Sequence, residues 1–460
     1  MLNRTVLAAT LSALSLVSLP VLADDASDLK KLRAEVDALR KAYESRVGEL
    51  ESRLKQAETK QAATPAATAA ATPAAAPASA DKAARQSGDT AFNPAVSLIL
   101  SGTYANLQKD PEGYRIKGFV PGGEIGPGSR GFSLGESELG LSANVDRLFY
   151  GQANIALSSE NEVGVEEAFI QTTSLPAGLK LKAGRYFSGI GYLNEQHAHT
   201  WDFVDAPLAY QAFLGGQFGQ DGVQLKWLAP SNTFIELGAE AGRGSNFPGS
   251  DRSRNSSGAQ SLFGHVGGDI GASHSWRAGL AWLRANPSAR EHSDIDLAGS
   301  EVTNTFSGSS RLWVADFIWK WAPNGDARRT SFKLQGEYFR RKEVGELVYD
   351  KDGTASADRY RSQQSGAYAQ AVWQFLPAWR TGYRYDWLDS GKVDYTGNSS
   401  NLANPDYKPR KHSVMVDWSP SEFSRVRLQF ANDRSRENQP DRQVFLQYQM
   451  SLGAHGAHGF

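Results

Sequence analysis

Val444-Phe445-Leu446-Gln447-Tyr448-Gln449-Met450-Ser451-Leu452 is the stretch that decides the fold. Val444, Leu446, Tyr448, Met450 and Leu452 share one face, and Gln447, Gln449 and Ser451 the other. A period of two marks an extended strand with one apolar side. The same alternation opens the strand region, with Val96, Leu98, Leu100, Gly102 and Tyr104 facing away from Ser97, Ser101 and Thr103. From Phe92 onward sixteen such runs follow, starting near residues 95, 132, 148, 163, 179, 222, 233, 260, 275, 311, 331, 363, 378, 411, 424 and 443. Each covers about 9 to 13 residues, the length with which a tilted strand crosses a bilayer.

The connections alternate short and long. The short ones are Asp146-Arg147, Pro176-Ala-Gly, Ala229-Pro-Ser-Asn, Ala272-Ser273, Ala322 to Arg329, Leu376-Pro377 and Ser419-Pro-Ser-Glu. The long ones include 107–131, 187–220, 243–259, 286–310, 342–362 and 389–410. Outer-membrane barrels have short periplasmic turns and long outer loops. A soluble sandwich would bury its apolar faces against a second sheet. Here that face carries Trp313, Trp319, Trp321, Trp373, Trp379, Tyr383, Trp387 and Trp418 near strand ends, as aromatic girdles do. The expected fold is all-β: a transmembrane antiparallel β-barrel of about 16 strands, preceded by a short N-terminal coiled-coil helix and a disordered spacer.

Composition narrows the function. The 460 residues hold 49 basic and 50 acidic side chains, no cysteine, 45 glycines and 11 tryptophans. Mean hydropathy is −0.45, which excludes a polytopic helical bundle. Lack of cysteine excludes disulfides, thiolate metal sites and cysteine nucleophiles. The charge balance argues against a nucleic-acid partner, because phosphate binding needs a basic excess.

Residues 1–23 read as a signal peptide. Arg4 supplies the positive start, Thr5 to Leu22 the apolar stretch, and Val21-Leu22-Ala23 the small residues before cleavage at Ala23–Asp24. Residues 24–58 read as a periplasmic coiled coil, with Leu29, Leu32, Val36, Leu39, Tyr43, Val47, Leu50 and Leu54 as its seam. Residues 59–91 form an Ala/Pro-rich linker, and 92–460 the barrel. The aromatic Phe460 ends the chain, as in many outer-membrane barrels.

With apolar residues facing lipid, their neighbours face the pore. Acidic wall positions are Glu136, Glu138, Glu167, Glu236 and Glu240. Basic ones are Lys180, Lys182, Lys226, Lys333, Arg380, Arg384, Arg425 and Arg427. Opposed rows of charge favour passage of polar solutes without a strong ion preference. The third outer loop, 187–220, is aromatic for a loop and is expected to pack inside the barrel, narrowing it. It carries His197 and His199 two residues apart, with Glu195, Asp202 and Asp205 nearby. Imidazole with carboxylate suits zinc, copper or nickel, so His197, His199 and Asp202 form a candidate metal set beside the plainer reading of hydrogen-bonding loop residues. His455 and His458 form a second pair in the tail. No serine-hydrolase elbow or phosphate loop is present, so no enzyme is expected.

The order of signal, coiled coil, Ala/Pro spacer and barrel resembles the phosphate-selective and related porins of Gram-negative bacteria. That resemblance implies a trimer with diffusion through each monomer. Gly131-Phe-Ser-Leu-Gly-Glu-Ser-Glu-Leu-Gly-Leu and Arg185-Tyr-Phe-Ser-Gly-Ile-Gly-Tyr-Leu-Asn-Glu-Gln-His-Ala-His-Thr-Trp-Asp are similar to a narrower proteobacterial group, labelled zinc-regulated TonB-dependent outer-membrane receptors. It implies an outer-membrane location and a link to zinc. TonB-driven transport is not carried over, because a 22-strand barrel with a folded plug does not fit the residues after the spacer. The leading expectation is a passive outer-membrane porin for small polar solutes or ions, without a resident cofactor. Its expected partners are membrane lipid, lipopolysaccharide, two further copies of itself and the cell wall. A zinc uptake channel or receptor, and a non-conducting tether or surface-interaction protein, are the alternatives.

Overall fold

The structure is a computed structural model. It describes Lys41 and residues 94–453, apart from 121, 124, 160, 161 and 252. The chain divides into two units, 1–74 and 75–460, and the barrel belongs to the second. The signal peptide, the coiled-coil seam, the linker, His455, His458 and Phe460 lie outside the described residues.

One sheet of eighteen segments closes on itself. Two strands are each interrupted once, so the segments make sixteen strands. β1 is Ala95–Leu107. β2 runs as Gly131–Leu134 and Ser137–Asn144, both paired to β1. Then come β3 (Phe149–Leu157), β4 (Val163–Thr172), β5 (Leu179–Phe187), β6 (Gly219–Leu228), β7 (Phe234–Gly242) and β8 (Ala259–Ile270). β9 runs as His274–Ala285 and Arg290–Ile295, both paired to β10 (Glu301–Trp321). β11 (Ser331–Tyr349), β12 (Ser356–Leu376), β13 (Trp379–Asp394), β14 (Arg410–Ser421), β15 (Ser424–Arg434) and β16 (Asp441–Gly453) complete the wall. Antiparallel pairing of β1 with β16, from Ser97↔Gly453 to Leu107↔Gln443, closes it. Closure leaves no unpaired edge, which is the only way a sheet satisfies its backbone in lipid.

Every run expected from alternation becomes a strand. The upper connections differ from expectation. Residues 286–310 and 342–362 are mostly strand, and β10, β11 and β12 reach 21, 19 and 21 residues. Alternation continues past the bilayer because Val302, Phe306, Leu347, Tyr349, Tyr360 and Val393 bury one another with Leu402 in a separate apolar cluster. That protruding hairpin wall packs on itself and needs no lipid.

The outward face is apolar and aromatic. Trp313, Phe317, Tyr338, Trp373, Trp379, Tyr383, Trp418, Phe430 and Tyr448 are all exposed. Trp379 and Trp418 stack at 6.1 Å near the short turns. At the other edge of this band the register sets Trp313 beside Arg340, Arg311 beside Lys342, and Trp387 beside Arg410 and then Arg434. These cations point outward and are exposed.

The interior departs from the polar lumen expected from sequence. Inward Phe263, Leu283, Leu312, Val314, Phe339, Tyr368 and Leu388 form an apolar wall over β8–β13. Against it packs α1 (Leu208–Leu214), a helix with every residue buried. Seven residues are too few for a stable lone helix. Burial supplies the stability, at roughly 1.5–3 kcal/mol for each large apolar side chain. Gly215, at φ 68°, ends it and donates its N–H to the Tyr210 carbonyl.

Candidate functional site

The connection 188–218 between β5 and β6 folds into the barrel and is fastened to its wall by charge. Two wall carboxylates hold the start of the loop. Glu240 accepts the Ser188 hydroxyl at 2.5 Å and the Gly189 N–H at 2.9 Å. Glu337 accepts the N–H groups of Tyr192 and Leu193 at 3.2 and 3.0 Å, and the hydroxyls of Tyr210 and Tyr368 at 3.0 and 2.6 Å. Gly191, at φ 74°, sits so close that a Cβ would lie 2.3 Å from Glu337 Oε2. Glu195 pairs with Lys226 of β6.

Two loop carboxylates hold the other end. Asp202 meets Lys333 Nζ at 2.5 Å and Arg380 at 3.4 Å, and accepts the Gln370 amide at 2.9 Å. Asp205 meets Arg384 at 3.0 Å and Lys411 at 2.8 Å, with Gln429 at 2.7 Å. Burial raises the pKa of both aspartates, but these cations outweigh it and hold them below the usual carboxylate range. Arg384 also pairs with Asp386, and Asp386 accepts the Leu208 N–H at the start of α1. Arg427 and Arg425 donate to the carbonyls of Trp201 and His199, each near 2.9 Å. Paired, hydrogen-bonded charges of this kind are tolerated where lone ones are not.

Between these ends lies the turn Ala198–Thr200, flanked by His197. His197 Nδ1 is 3.1 Å from Glu138 Oε2 and 3.1 Å from Glu166 Oε2. Its Nε2 is 3.1 Å from Glu167 Oε2 and 3.0 Å from the Asn154 amide. His199 Nδ1 is 3.1 Å from the same Glu138 oxygen, and the two rings stack at 5.6 Å. Glu136 lies against Glu166. Burial disfavours a charged His197, yet the bonds to Glu138, Glu166 and Glu167 lift its pKa well above the ordinary range.

Two backbone irregularities build this acidic side. In β4 the register runs from Asn154↔Glu167 to Ile155↔Val165, so Glu166 is an inserted residue. Such a bulge turns two successive side chains to one face. The break at residues 135–136 in β2 has a similar effect. Phe132 and Leu134 face out before it, and Glu138 faces in after it.

The structure unites His197 and His199 but gives them Glu138, not Asp202. The reason is electrostatic, since Lys333 and Arg380 already hold Asp202. Glu138, Glu166 and Glu167 are the nearer acids, and Glu166 was missed by the sequence reading. All the expected wall charges face inward. Arg384 and Arg427, with side chains only 1 % exposed, lie beneath the loop and do not face open solvent. Lys333 and Arg380 remain about a quarter exposed, at 24 % and 28 %.

No family model matches the chain. An uncharacterised protein of Aquifex aeolicus (strain VF5) is 31% identical over 402 residues, covering 80% of each chain. Similar solved structures include the loop L8 deletion mutant of OmpT, an outer-membrane protein of Vibrio cholerae. It has 11% identity and a TM-score of 0.49, over 78% of this chain and 99% of that one. The outer-membrane channel DcaP of Acinetobacter baumannii has 12% identity and a TM-score of 0.46, over 78% and 97%. An anion-selective porin from Comamonas acidovorans has 10% identity and a TM-score of 0.47, over 78% and 99%.

Proposed function

The chain belongs to the same family as the Aquifex aeolicus protein, and from its geometry we propose a passive outer-membrane channel for small polar solutes or ions, narrowed by the loop 188–218. One observation carries this reading. Below the loop, on the side of the short turns, inward charges stay within reach of water: Lys226, Glu236, Lys333 and Arg380 are each roughly a fifth to a quarter exposed. A barrel serving only as an anchor has no need of hydrated charges behind an ion-paired constriction. The lining combines both signs, so it favours polarity more than one ionic charge.

The outward face supports the membrane assignment. An apolar aromatic band is rimmed by Arg311, Arg340, Lys342, Arg361, Arg410 and Arg434, all exposed. None has an ion-pair partner among the described residues. A collar of free cations beside an apolar band suits the phosphates of lipopolysaccharide in an outer leaflet. The resemblance to trimeric porins implies a homotrimer, which the heptad seam at 24–58 would hold together in the periplasm or anchor near the cell wall. Charge substitutions at Leu32 and Leu39 would then leave only monomers in crosslinking.

The test is swelling of proteoliposomes in neutral sugars of increasing size. Entry of small sugars with a sharp upper size limit is expected. No swelling in any sugar, from folded and inserted protein, would overturn the channel and favour the tether.

A further inference from the structure

The cluster where the loop turn meets β2–β4 has more carboxyl groups than its partners can balance. Glu138, Glu166 and Glu167 surround His197, and Glu136 adds a fourth carboxyl group. The side chains are largely shielded, with exposures of 7%, 18% and 9% for the three glutamates facing the imidazole. Two imidazoles offset at most two of the charges. Of the nearest other cations, Lys182 lies over the Phe169 ring and faces Glu167 without an ion pair, and Arg425 donates to the His199 carbonyl and to Gln449. Leaving buried carboxylates uncompensated is costly, and a bound cation is one of the ways proteins resolve it.

The donor geometry selects the kind of cation. One ligand atom each from Glu138, His197 and His199 lies within 4.8 Å of the others. Glu138 Oε2 sits 3.1 Å from both imidazole Nδ1 atoms, and Glu166 Oε2 3.1 Å from that of His197. Donors bound tetrahedrally at about 2.0–2.1 Å are separated by about 3.4 Å, so a small outward shift admits an ion. With Nδ1 on the metal, the Nε2–H of His197 points at Glu167, 3.1 Å away. A carboxylate behind a ligating imidazole is the usual outer support of such sites. Two imidazoles with carboxylates favour a first-row divalent transition ion over calcium or magnesium, which prefer oxygen alone.

We propose that His197, His199 and Glu138 bind one divalent transition-metal ion, with Glu166 beside His197 and Glu167 orienting it. The ion ties the loop turn to β2, while Arg425 of β15 holds the His199 carbonyl. The site deepens the channel reading, in that the metal would set how firmly the constriction is held, but its occupancy stands apart from conduction.

The test uses the full-length protein, refolded in detergent, stripped with chelator and titrated with zinc alone, the readout being bound zinc per chain after dialysis. One zinc per chain is expected, with affinity falling at least tenfold in His197→Ala and in His199→Ala, and also in Glu138→Gln. Cobalt in place of zinc should give the visible bands of a low-symmetry nitrogen–oxygen site, lost in the same variants. A His455→Ala/His458→Ala variant separates the tail. If zinc leaves with the tail pair and survives loss of His197 and His199, the proposal is wrong. It is equally wrong if the stripped wild type takes up no zinc. Retention of the compact, heat-modifiable form on gels shows that each variant has folded. Zinc binding without sugar permeation would refute the channel and leave the metal site standing.

Discussion

The loop is held from two sides, and the sides differ. Towards β11–β15 each loop acid meets wall cations in full: Asp202 with Lys333 and Arg380, Asp205 with Arg384 and Lys411. Towards β2–β4 the wall itself is acidic and the loop brings imidazoles. The first contact is complete in the protein alone. The second has an excess of carboxyl groups and is completed by something added. Charge identity, more than loop length, thus decides which half of the loop the protein alone holds fixed.

The strongest way to break the comparison is on the arginine side. Asp205→Asn removes the carboxylate that Arg384 and Lys411 share, leaving Arg384 with Asp386 and Lys411 with the more distant Asp433. Losing one member of a buried pair costs about 3–5 kcal/mol. The thermal midpoint should fall by several degrees, with or without zinc, as read by tryptophan fluorescence. A midpoint within a degree of wild type would show that this side does not carry the loop.

Gly191→Ala should cost less, about 1–3 kcal/mol, from a positive φ and the clash with Glu337. Its measure is the same melt, with an unchanged value counting against the docked position of residues 188–193.

Acid separates the halves further. The pKa values of Asp202 and Asp205 are depressed, so their contribution is fully present above the unfolded carboxylate value, about 3.9. It is lost as pH falls below that value, through the lowered folded ones. Amide exchange in 202–214 should therefore be constant from pH 7 to about 5, after correction for the intrinsic rate. Protection lost already at pH 6 would contradict these pairs. Chelator at neutral pH should loosen Ala198–Thr200 a few-fold and leave 202–214 unchanged. Uniform loosening would erase the distinction between the two sides.

The smallest effect is expected outside. Arg340→Glu with Arg410→Glu should leave the melt within about 0.5 kcal/mol, as exposed substitutions do. Lipopolysaccharide affinity should fall by roughly tenfold or more, from about 1 kcal/mol for each of the two basic residues, as read by the amount that copurifies with the barrel. Unchanged retention would remove the collar from the account.

Much of this was legible in sequence because strand alternation is local. Val444 to Leu452 faces as the pattern requires, with Phe445 buried inside and Leu446 and Tyr448 outside. The inward packing of the loop was legible too, from Ile190, Leu193, Trp201 and Phe203, all now buried. The metal set was only half legible. Asp202 is three residues from His199, but its partners come from β11 and β13, which no local pattern reveals. Glu166 left a trace that went unread: Val163 and Val165 face out before it, Ala168 and Ile170 after it, and that change of parity is a bulge. The apolar wall of β8–β13 was hidden because Phe263 and Phe339 look lipid-facing until α1 is seen against them.

The central claim is that the loop fastened by Asp202 and Asp205 narrows an aqueous path. Single-channel conductance in planar bilayers tests it most directly, comparing wild type with the Asp202→Asn/Asp205→Asn variant at neutral pH. The account predicts a small, steady wild-type conductance and a several-fold larger, noisier one in the variant. Equal conductance in the two proteins, or none in either, would contradict it.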